Sequence, residues 1–277
     1  MTFIEAAILG LLQGLTEFLP ISSSAHLRIL GELADWGDPG ATFTAITQLG
    51  TEVAVIIYFW RDIVRIIGRW FRHFAPGAGI PKGDPDVRLG WLIIIGTIPI
   101  VVVGFVAQEQ IRSVFRSLWL VAIVLIVFGI LLGIADRLGR RTRDLTAMTP
   151  RDGILIGLAQ TLALVPGVSR SGATTTAGLA LGYSRPTAAR YSFLLAIPAV
   201  IGSGLYELLH SFSEPMGRYG YPETALATVV AFVVGYAVIA FLMRYIQTRS
   251  FMPFVIYRIT LGAVILVLLA VGVLQPF

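Results

Sequence analysis

Two stretches of this chain place reactive side chains in otherwise apolar surroundings. The first runs from Gln13 to His26 and reads QGLTEFLPISSSAH, which combines an amide, a carboxylate, several hydroxyls and an imidazole. The second runs from Pro166 to Thr174 and reads PGVSRSGAT. These residue types can supply a nucleophile, a base and a cationic anchor for an anion. We therefore predict that the two stretches meet and form one anion-handling site.

The first stretch carries the acid, the amide and the hydroxyls of the predicted site. Gln13 and Glu17 lie four residues apart and share one face of a helix. Pro20 breaks that helix, and Ser22 or Ser23 can cap a second short helix whose free N–H groups point back toward the break. The oxygens of Gln13 and Glu17 suit a hard divalent ion, Mg²⁺ or Ca²⁺, and the substrate would complete its coordination.

His26 follows Ser23 by three residues and Ser22 by four, so we expect its imidazole to reach either hydroxyl. Ser23 and His26 would then act as nucleophile and base in an attack on the phosphorus of a lipid-borne phosphate. Two alternatives stay open: His26 is itself the nucleophile, or it activates water while Ser23 only binds phosphate. A purely structural role as caps also stays open for the serines.

The second stretch predicts a cationic clamp at a helix end. Pro166 and Gly167 break the chain, and Ser169 begins the next helix. Unpaired N–H groups and the helix dipole favour phosphate at such an end. Arg170 adds a planar donor fork that matches phosphate oxygens.

Glu52 is a further acid within an apolar stretch, and the sequence leaves its role open. It either faces the cavity of the site or pairs with a basic residue. An ionisable group at membrane depth is costly, which favours a functional role. We interpret Gln160 as a hydrogen-bonding hinge residue.

The composition predicts an integral membrane protein. Hydrophobic residues make up 56% of the chain and charged residues 13%, with a mean hydropathy of +0.81. Soluble domains carry about 25% charged residues. The chain has no cysteine, which excludes disulfides and thiolate metal sites. Its start, from Met1 to Glu5, has no basic segment, so we expect no cleaved signal peptide.

Six stretches approach the roughly 20 apolar residues that cross a hydrocarbon core. Five are uncharged, and the sixth is interrupted only by Glu52. They are Leu89–Ala107, Ser117–Ala135, Tyr191–Tyr206, Thr224–Met243, Ile259–Phe277 and Pro39–Trp60. Ala6–Thr16 and Gly153–Ser169 are too broken to span, so we predict re-entrant helix hairpins there, where protein or a water-filled cavity satisfies the irregular backbone.

Basic residues orient these spans, because Lys and Arg accumulate in cytoplasmic loops. Most of the 21 basic residues lie in one set of linkers, notably 61–88 and 137–151. The opposite side holds only Arg28, Arg112, Arg116 and Arg218. This asymmetry places both termini outside the cytoplasm and argues against nucleic-acid binding, for which basic residues would line one soluble face.

The chain also repeats itself at an offset of 147 residues. The matched pairs are Gly10 and Gly157, Leu11 and Leu158, Gln13 and Gln160, Leu15 and Leu162, Ser22 and Ser169, and Ser24 and Ser171. An odd number of spans in each half inverts the second half relative to the first. We therefore predict one all-α membrane domain, residues 1–277. Its two inverted repeats, about 1–137 and 152–277, would each hold a re-entrant helix hairpin and three transmembrane helices.

The chain resembles the undecaprenyl-diphosphate phosphatase family, also called bacitracin-resistance proteins, in two motifs, Gln13-x-x-x-Glu17-Phe-Leu-Pro-x-Ser22-Ser23-x-x-His26 and Pro166-Gly-x-Ser169-Arg170-Ser171-x-x-Thr174. The likeness extends over essentially the whole chain. It implies an enzyme of the bacterial plasma membrane that converts undecaprenyl diphosphate to the monophosphate and so recycles the lipid carrier for peptidoglycan synthesis. It also implies a divalent metal and an active site that opens to the outer face.

The resemblance assigns roles by position. Gln13 and Glu17 occupy the family's acidic motif, with Gln at its first place, which leaves one carboxylate for a metal. Ser23 takes the nucleophile position, His26 that of the essential histidine, and Arg170 that of the phosphate-binding arginine. With the helix-end argument, the predicted phosphate-binding residues are Ser22, Gly167, Ser169, Arg170, Ser171 and Thr174.

A second class of function fits the same pattern. Inverted repeats with broken helices are also typical of transporters, and a carrier of polyprenyl phosphate would use these residues for binding alone. The cluster of serine, histidine and glutamate favours the enzyme. Membrane lipids are expected partners in either case, and the assembly state is left open, with a homodimer as one option.

Overall fold

The computed structural model describes residues 2–77, 79–81, 83–107, 117–212 and 217–276. Helices dominate this part of the chain, and two 3₁₀ turns, Leu145–Ala147 and Leu162–Leu164, accompany them. The α-helices are α1 (Thr2–Thr16), α2 (Ser23–Leu33), α3 (Ala41–Tyr58), α4 (Trp60–His73), α5 (Pro85–Val106), α6 (Leu118–Leu138), α7 (Pro150–Thr161), α8 (Arg170–Ala180), α9 (Arg185–Ser211), α10 (Tyr221–Tyr245) and α11 (Met252–Ala270).

Six helices of the described residues are long and apolar enough to cross a membrane, namely α3, α5, α6, α9, α10 and α11. They coincide with the six predicted spans and confirm an all-α, multi-pass membrane protein. The last span differs in its bounds, because α11 covers Met252–Ala270 and the prediction was Ile259–Phe277. The helix runs through Arg258, whose charge is satisfied inside the protein and so does not end the span.

Some predictions fall outside the described residues. Met1 belongs to the signal-peptide argument, and Lys82, Arg112 and Arg116 belong to the charge-orientation argument. Phe277, the predicted end of the last span, is also outside.

The two predicted hairpins are pairs of short helices joined by irregular backbone. Helix α1 has 15 residues and is roughly 22 Å long, less than the roughly 30 Å of a hydrocarbon core. Helices α2, α7 and α8 are shorter still. The inverted orientation of the halves and their boundaries stay a prediction, and the packing described next is consistent with it.

Matched glycines seat α1 and α7 on spans of the opposite half. At Gly10 of α1 a Cβ atom would overlap the backbone of Ala227 in α10, and at Gly157 of α7 it would overlap the backbone of Gly96 in α5. Small residues let helices in a membrane approach closely and gain van der Waals contact. Each short helix is thereby held against a span of the other half.

The first turn of α1 is held by a buried acid. Glu5 Oε2 accepts hydrogen bonds from Arg218 Nε at 3.1 Å and from the Tyr219 hydroxyl at 3.3 Å. Burial, with the neighbouring Glu5 charge acting in the same direction, raises the pKa of Tyr219 to about 12. The Tyr219 hydroxyl therefore stays protonated and keeps donating at physiological pH.

Asp152, in the first turn of α7, is the repeat counterpart of Glu5 and has the same kinds of partner. It accepts from Arg143 Nη2 and from the Tyr183 hydroxyl, both at 2.6 Å, and from the amide of Thr149 at 2.9 Å. Burial disfavours its charge, but these hydrogen bonds prevail and hold the pKa of Asp152 well below its usual range. An arginine and a tyrosine thus fix the start of each re-entrant helix.

Helix α4 differs from its neighbours in being strongly amphipathic. Apolar side chains at helical spacing are exposed along one face, among them Trp60, Val64, Ile67 and Phe71. Arginines occupy its other faces. This pattern is typical of a helix that lies in the membrane interface, and it follows α3 directly on the arginine-rich side of the bundle.

Candidate active site

The two predicted stretches meet at the carboxylate of Glu17. Arg170 Nη2 donates to Glu17 Oε1 in a buried ion pair that joins residues 153 positions apart. Ser23 Oγ donates to Glu17 Oε2 at 2.5 Å, and Gln13 Nε2 donates to the same oxygen at 2.7 Å. The acid, the hydroxyl and the arginine of the prediction therefore form one contiguous cluster.

The same unusual backbone turn presents Ser23 in one half and Arg170 in the other. Ser22 and Ser169, which precede them, have φ angles of 73° and 68°. A residue with a side chain enters this left-handed region at a cost of about 1–3 kcal/mol, and such strain concentrates at functional sites. Because the two serines are repeat counterparts, the strained turn is a shared feature of both halves.

The helices that follow these turns are capped differently. Ser169 Oγ accepts from the amide of Gly172 at 3.2 Å, which caps α8. Ser22 is at the equivalent position of α2, but its side chain makes no capping bond and contacts Ser24 Oγ at 3.2 Å. The first N–H groups of α2 are therefore free of side-chain acceptors and suit an anion.

Arg258 of α11 joins the two chain breaks. Its Nη1 donates to the carbonyl of Pro20 at 3.0 Å, and its Nη2 donates to those of Gly167 at 2.8 Å and Val168 at 3.1 Å. Its Nε donates to Leu125 O at 3.2 Å. Pro20 and Gly167 are repeat counterparts, so one buried guanidinium satisfies the same irregular carbonyl in each half. Sequence reasoning missed this role, although an arginine inside an apolar span was its signal.

His26 is placed differently from the expectation. It forms no hydrogen bond with the hydroxyl of Ser22 or Ser23. Its Nδ1 donates to the Ser22 carbonyl at 2.7 Å, which leaves Nε2 to accept from the Tyr257 hydroxyl at 2.7 Å. The helix directs the ring to the carbonyl one turn back, and the Tyr257 ring stacks on it at 5.6 Å. The acceptor for Ser23 is Glu17, and the contact with Tyr257 had no sequence signal.

A cavity of about 590 Å³ opens onto this cluster, a size typical of small-molecule sites. One end is polar and the other is apolar. The polar end is lined by Glu17, Ser22, Ser23, Ser24, Ser169 and Arg170. The apolar end is lined by residues of α5 and α9, including Ile100, Val101, Phe105, Pro198 and Ala199. Such a cavity can hold an anionic headgroup together with the start of a hydrocarbon chain.

Three predicted phosphate-binding residues lie behind the wall of this cavity. Ser171 Oγ is 3.3 Å from the carbonyl of Glu17, and Thr174 Oγ1 donates to the carbonyl of Arg170 at 2.8 Å. Gly167 contributes its carbonyl to Arg258. In this arrangement Ser171 and Thr174 position Glu17 and Arg170 and Gly167 anchors Arg258, while Ser22, Ser169 and Arg170 reach the cavity.

The mouth of the cavity lies at one end of the helix bundle. Its lining includes Ala41 at the start of α3, Phe105 near the end of α5, and Tyr206 and Glu207 near the end of α9. The arginine-rich linker 61–88 joins the opposite ends of α3 and α5, and in linker 137–151 the backbone of Arg143 bonds Gly182 and Ser184, just before the opposite end of α9.

The donors available to a metal ion are few. Gln13 Oε1 is buried without a hydrogen-bond partner, so this amide oxygen can accept a cation or another donor. Glu17 supplies carboxylate oxygens beside it. Within the described residues, no group of three or more histidine, aspartate or glutamate side chains could hold a metal. These oxygens fit a hard divalent ion only if phosphate oxygens complete its coordination.

Comparison with known proteins adds independent information. A model of the family described as "Bacitracin resistance protein BacA" matches residues 6–264. A protein named "Undecaprenyl-diphosphatase" from Clavibacter michiganensis subsp. michiganensis is 66% identical over 272 residues, which covers 98% of either chain. One of the same name from Micrococcus luteus is 64% identical over 278 residues, 99% of this chain and 100% of that one. "Undecaprenyl-diphosphatase 2" from Agrobacterium fabrum is 55% identical over 276 residues, 99% of this chain and 98% of its own.

Proposed function

The chain belongs to the bacitracin resistance protein BacA family, and from this premise we propose that it hydrolyses undecaprenyl diphosphate to undecaprenyl phosphate and inorganic phosphate. The enzyme is a multi-pass protein of a bacterial membrane, and its product is the lipid carrier used in cell-wall synthesis. The observation that supports the chemistry is the hydrogen bond from Ser23 to Glu17 beside Arg170, in the wall of a cavity that apolar residues of α5 and α9 also line.

In the first step Ser23 Oγ attacks the terminal phosphorus of the diphosphate. Glu17 Oε2 accepts a hydrogen bond from Ser23 Oγ, and the two oxygens are 2.5 Å apart. Glu17 takes up this proton as the new O–P bond forms. The bond from phosphorus to the bridging oxygen breaks, and undecaprenyl phosphate leaves with the proton that Glu17 returns. Arg170 and the uncapped N–H groups of α2 stabilise the charge on the phosphoryl oxygens.

In the second step water attacks the phosphoserine. Glu17 removes a proton from the water, the Ser23–phosphorus bond breaks, and Ser23 regains its proton as inorganic phosphate departs. His26 holds the Ser22 carbonyl and so positions the turn before Ser23. Its ring nitrogens are both engaged, which favours Ser23 over His26 as the nucleophile.

Gln13 and Glu17 are the residues that would hold a divalent ion, Mg²⁺ or Ca²⁺, together with the bound diphosphate. When bound, such an ion neutralises phosphate charge. Treatment with a chelator is expected to abolish turnover, and adding back each ion separately identifies the one that restores it.

The active site faces the outer side of the membrane in this proposal. Two observations support it: residues at the C-terminal ends of α5 and α9 line the cavity, and the arginine-rich linkers lie beside the opposite ends of these two helices. Labelling of a cysteine introduced at Tyr206 by a membrane-impermeant reagent in intact cells tests the orientation. A homodimer stays a prediction, which sedimentation in detergent tests.

The deciding experiment measures phosphate release from undecaprenyl diphosphate by the purified protein in detergent. Ser23→Ala is expected to lose at least about 10³-fold in turnover and to keep substrate binding. Ser211→Ala, which removes a hydroxyl that bonds only near the outer end of α9, serves as the control. Wild-type turnover in Ser23→Ala would exclude the serine mechanism.

The carrier hypothesis makes a different prediction for the same sample. A protein that only moves the lipid would bind undecaprenyl diphosphate without releasing phosphate, with or without a divalent ion.

A trapped phosphoprotein that resists acid would indicate phosphoserine, whereas an acid-labile one would indicate phosphohistidine at His26.

A further inference from the structure

Glu52 of α3 is a buried carboxyl group that the proposed mechanism does not use. Its side chain is 2% exposed, and its Oε1 has no hydrogen-bond partner. A buried polar atom without a partner costs free energy, and an ionisable group within a span costs more. The position therefore calls for an explanation beyond packing.

The surroundings of Glu52 connect it to the active site. It lines a small inner pocket of about 10 Å³, in which the other charged residues are Glu17 and Arg170. Glu17 and Arg170 also line the large cavity, so their ion pair forms the wall between the two spaces. Glu52 is thus on the side of Arg170 that faces away from the substrate cavity.

Substrate binding creates a problem that this placement can solve. The guanidinium of Arg170 is engaged by Glu17, yet the phosphate must also attract it. The contact between Glu17 and Arg170 must therefore loosen if the guanidinium is to turn toward the phosphate. The guanidinium carries five N–H donors in a rigid fork, enough for a phosphate on one edge and a carboxyl group on another.

We propose that Glu52 is a positioning residue that takes over Arg170 from Glu17 when the phosphate binds. Glu52 Oε1 accepts an N–H of the guanidinium from the inner side, while the phosphate occupies the edge that faces the cavity. The inner pocket is about the size of one water molecule, so a small movement of the guanidinium is sufficient. Thr174 holds the Arg170 carbonyl, so the backbone can stay in place.

This inference rests on the proposed function and deepens it. It makes Glu52 a second carboxyl group of the site, in addition to that of Glu17. The alternative is that Glu52 is a neutral acid that only fills space in the helix bundle. Glu52→Gln separates the two, because it keeps the shape and removes the capacity to carry negative charge.

The test compares Glu52→Gln and Glu52→Asp with the wild type in undecaprenyl diphosphate hydrolysis. Glu52→Gln is expected to raise KM about tenfold, the effect of one charge-assisted hydrogen bond, with a smaller change in kcat and an unchanged melting temperature. Glu52→Asp, which keeps the carboxylate, should recover most of the loss. Thr47→Val is the matched control, since Thr47 is also buried on α3 with an unpartnered hydroxyl.

A wild-type KM in Glu52→Gln overturns the inference, as does a KM change that Thr47→Val shares. Calorimetric binding of inorganic pyrophosphate supplies a readout that needs no turnover, and the same tenfold weakening is expected there. If the wild type releases no phosphate but binds pyrophosphate, the proposed function fails while the role of Glu52 is still decided by the binding data.

Discussion

The two halves of the protein share a scaffold and, in the proposed mechanism, divide the chemistry. Both begin with a short helix whose first-turn acid, Glu5 or Asp152, is held by an arginine and a tyrosine. Both then turn through a left-handed serine into a second short helix. At the next position one half presents Ser23 and the other Arg170.

In the proposed mechanism the two halves have different roles on the same type of backbone turn. Glu17 bonds Ser23 and Gln13, whereas its counterpart in the second half is Leu164, so the second half has no base. The uncapped start of α2 suits an anion, and the capped start of α8 anchors the arginine. Attack is assigned to one half and charge stabilisation to the other.

After the loss expected for Ser23→Ala, the largest effect should come from Arg170, which stabilises charge in the proposed mechanism. Arg170→Lys should lower kcat/KM about 10²- to 10³-fold, because a point charge cannot span phosphate oxygens as the planar fork does. Steady-state phosphate release measures it. Arg185→Lys, which keeps a cation beside Asp136 at the other end of the bundle, is the control and should change little. Near-normal activity of Arg170→Lys would mean that only the charge matters.

The next largest effect is expected from removing the side chain that joins the chain breaks of the two halves. Arg258→Leu leaves the carbonyls of Pro20 and Gly167 without a donor, and we expect a loss of about 3 kcal/mol in stability. Thermal unfolding in detergent measures the loss. The melting temperature of Arg258→Lys, whose side chain can reach fewer carbonyls, should lie between those of the wild type and Arg258→Leu. An unchanged melting temperature in Arg258→Leu would show that the breaks are held by other contacts.

The matched glutamines test the asymmetry of the halves directly. Gln13 donates to Glu17, while both polar atoms of its counterpart Gln160 are buried without a partner, so the hydrogen-bonding role expected for Gln160 is wrong. Gln13→Leu is therefore expected to lower turnover about tenfold. Gln160→Leu should leave turnover unchanged and raise the melting temperature, because it removes an unsatisfied amide. Equal effects of the two substitutions on turnover would contradict the division of roles.

The smallest expected effect concerns the acids at the start of each half. Asp152→Asn should cost about 1–3 kcal/mol, and Glu5→Gln should cost less because Glu5 has fewer donors. The folded-state pKa of Asp152 is lowered, so its contribution is present above the ordinary aspartate pKa and is lost as the pH falls below it. Melting temperatures of Asp152→Asn and the wild type should therefore converge in acid. A constant difference between pH 7 and the acid range would exclude this origin.

Much of the architecture could be predicted from the sequence because it depends on local patterns. A span is recognisable from the length of an apolar run, and all six were found for that reason. Proline, glycine and serine near Pro20 and Gly167 marked the two breaks. The paired serines at matched positions indicated a repeat, and Ser23 and Arg170 directly follow the matched serines Ser22 and Ser169.

Which groups touch depends on the tertiary structure. Helical spacing placed His26 near Ser23, but spacing does not determine which acceptor a side chain selects, and the hydroxyl bonds Glu17. The partners of Arg258 are main-chain carbonyls, which every residue has and no sequence pattern marks. The position of Glu52 behind Arg170 likewise depends on how α3 packs against the hairpins. Residue types and their order determined the chemistry that this protein can perform, and long-range packing decided which carboxyl group serves which donor.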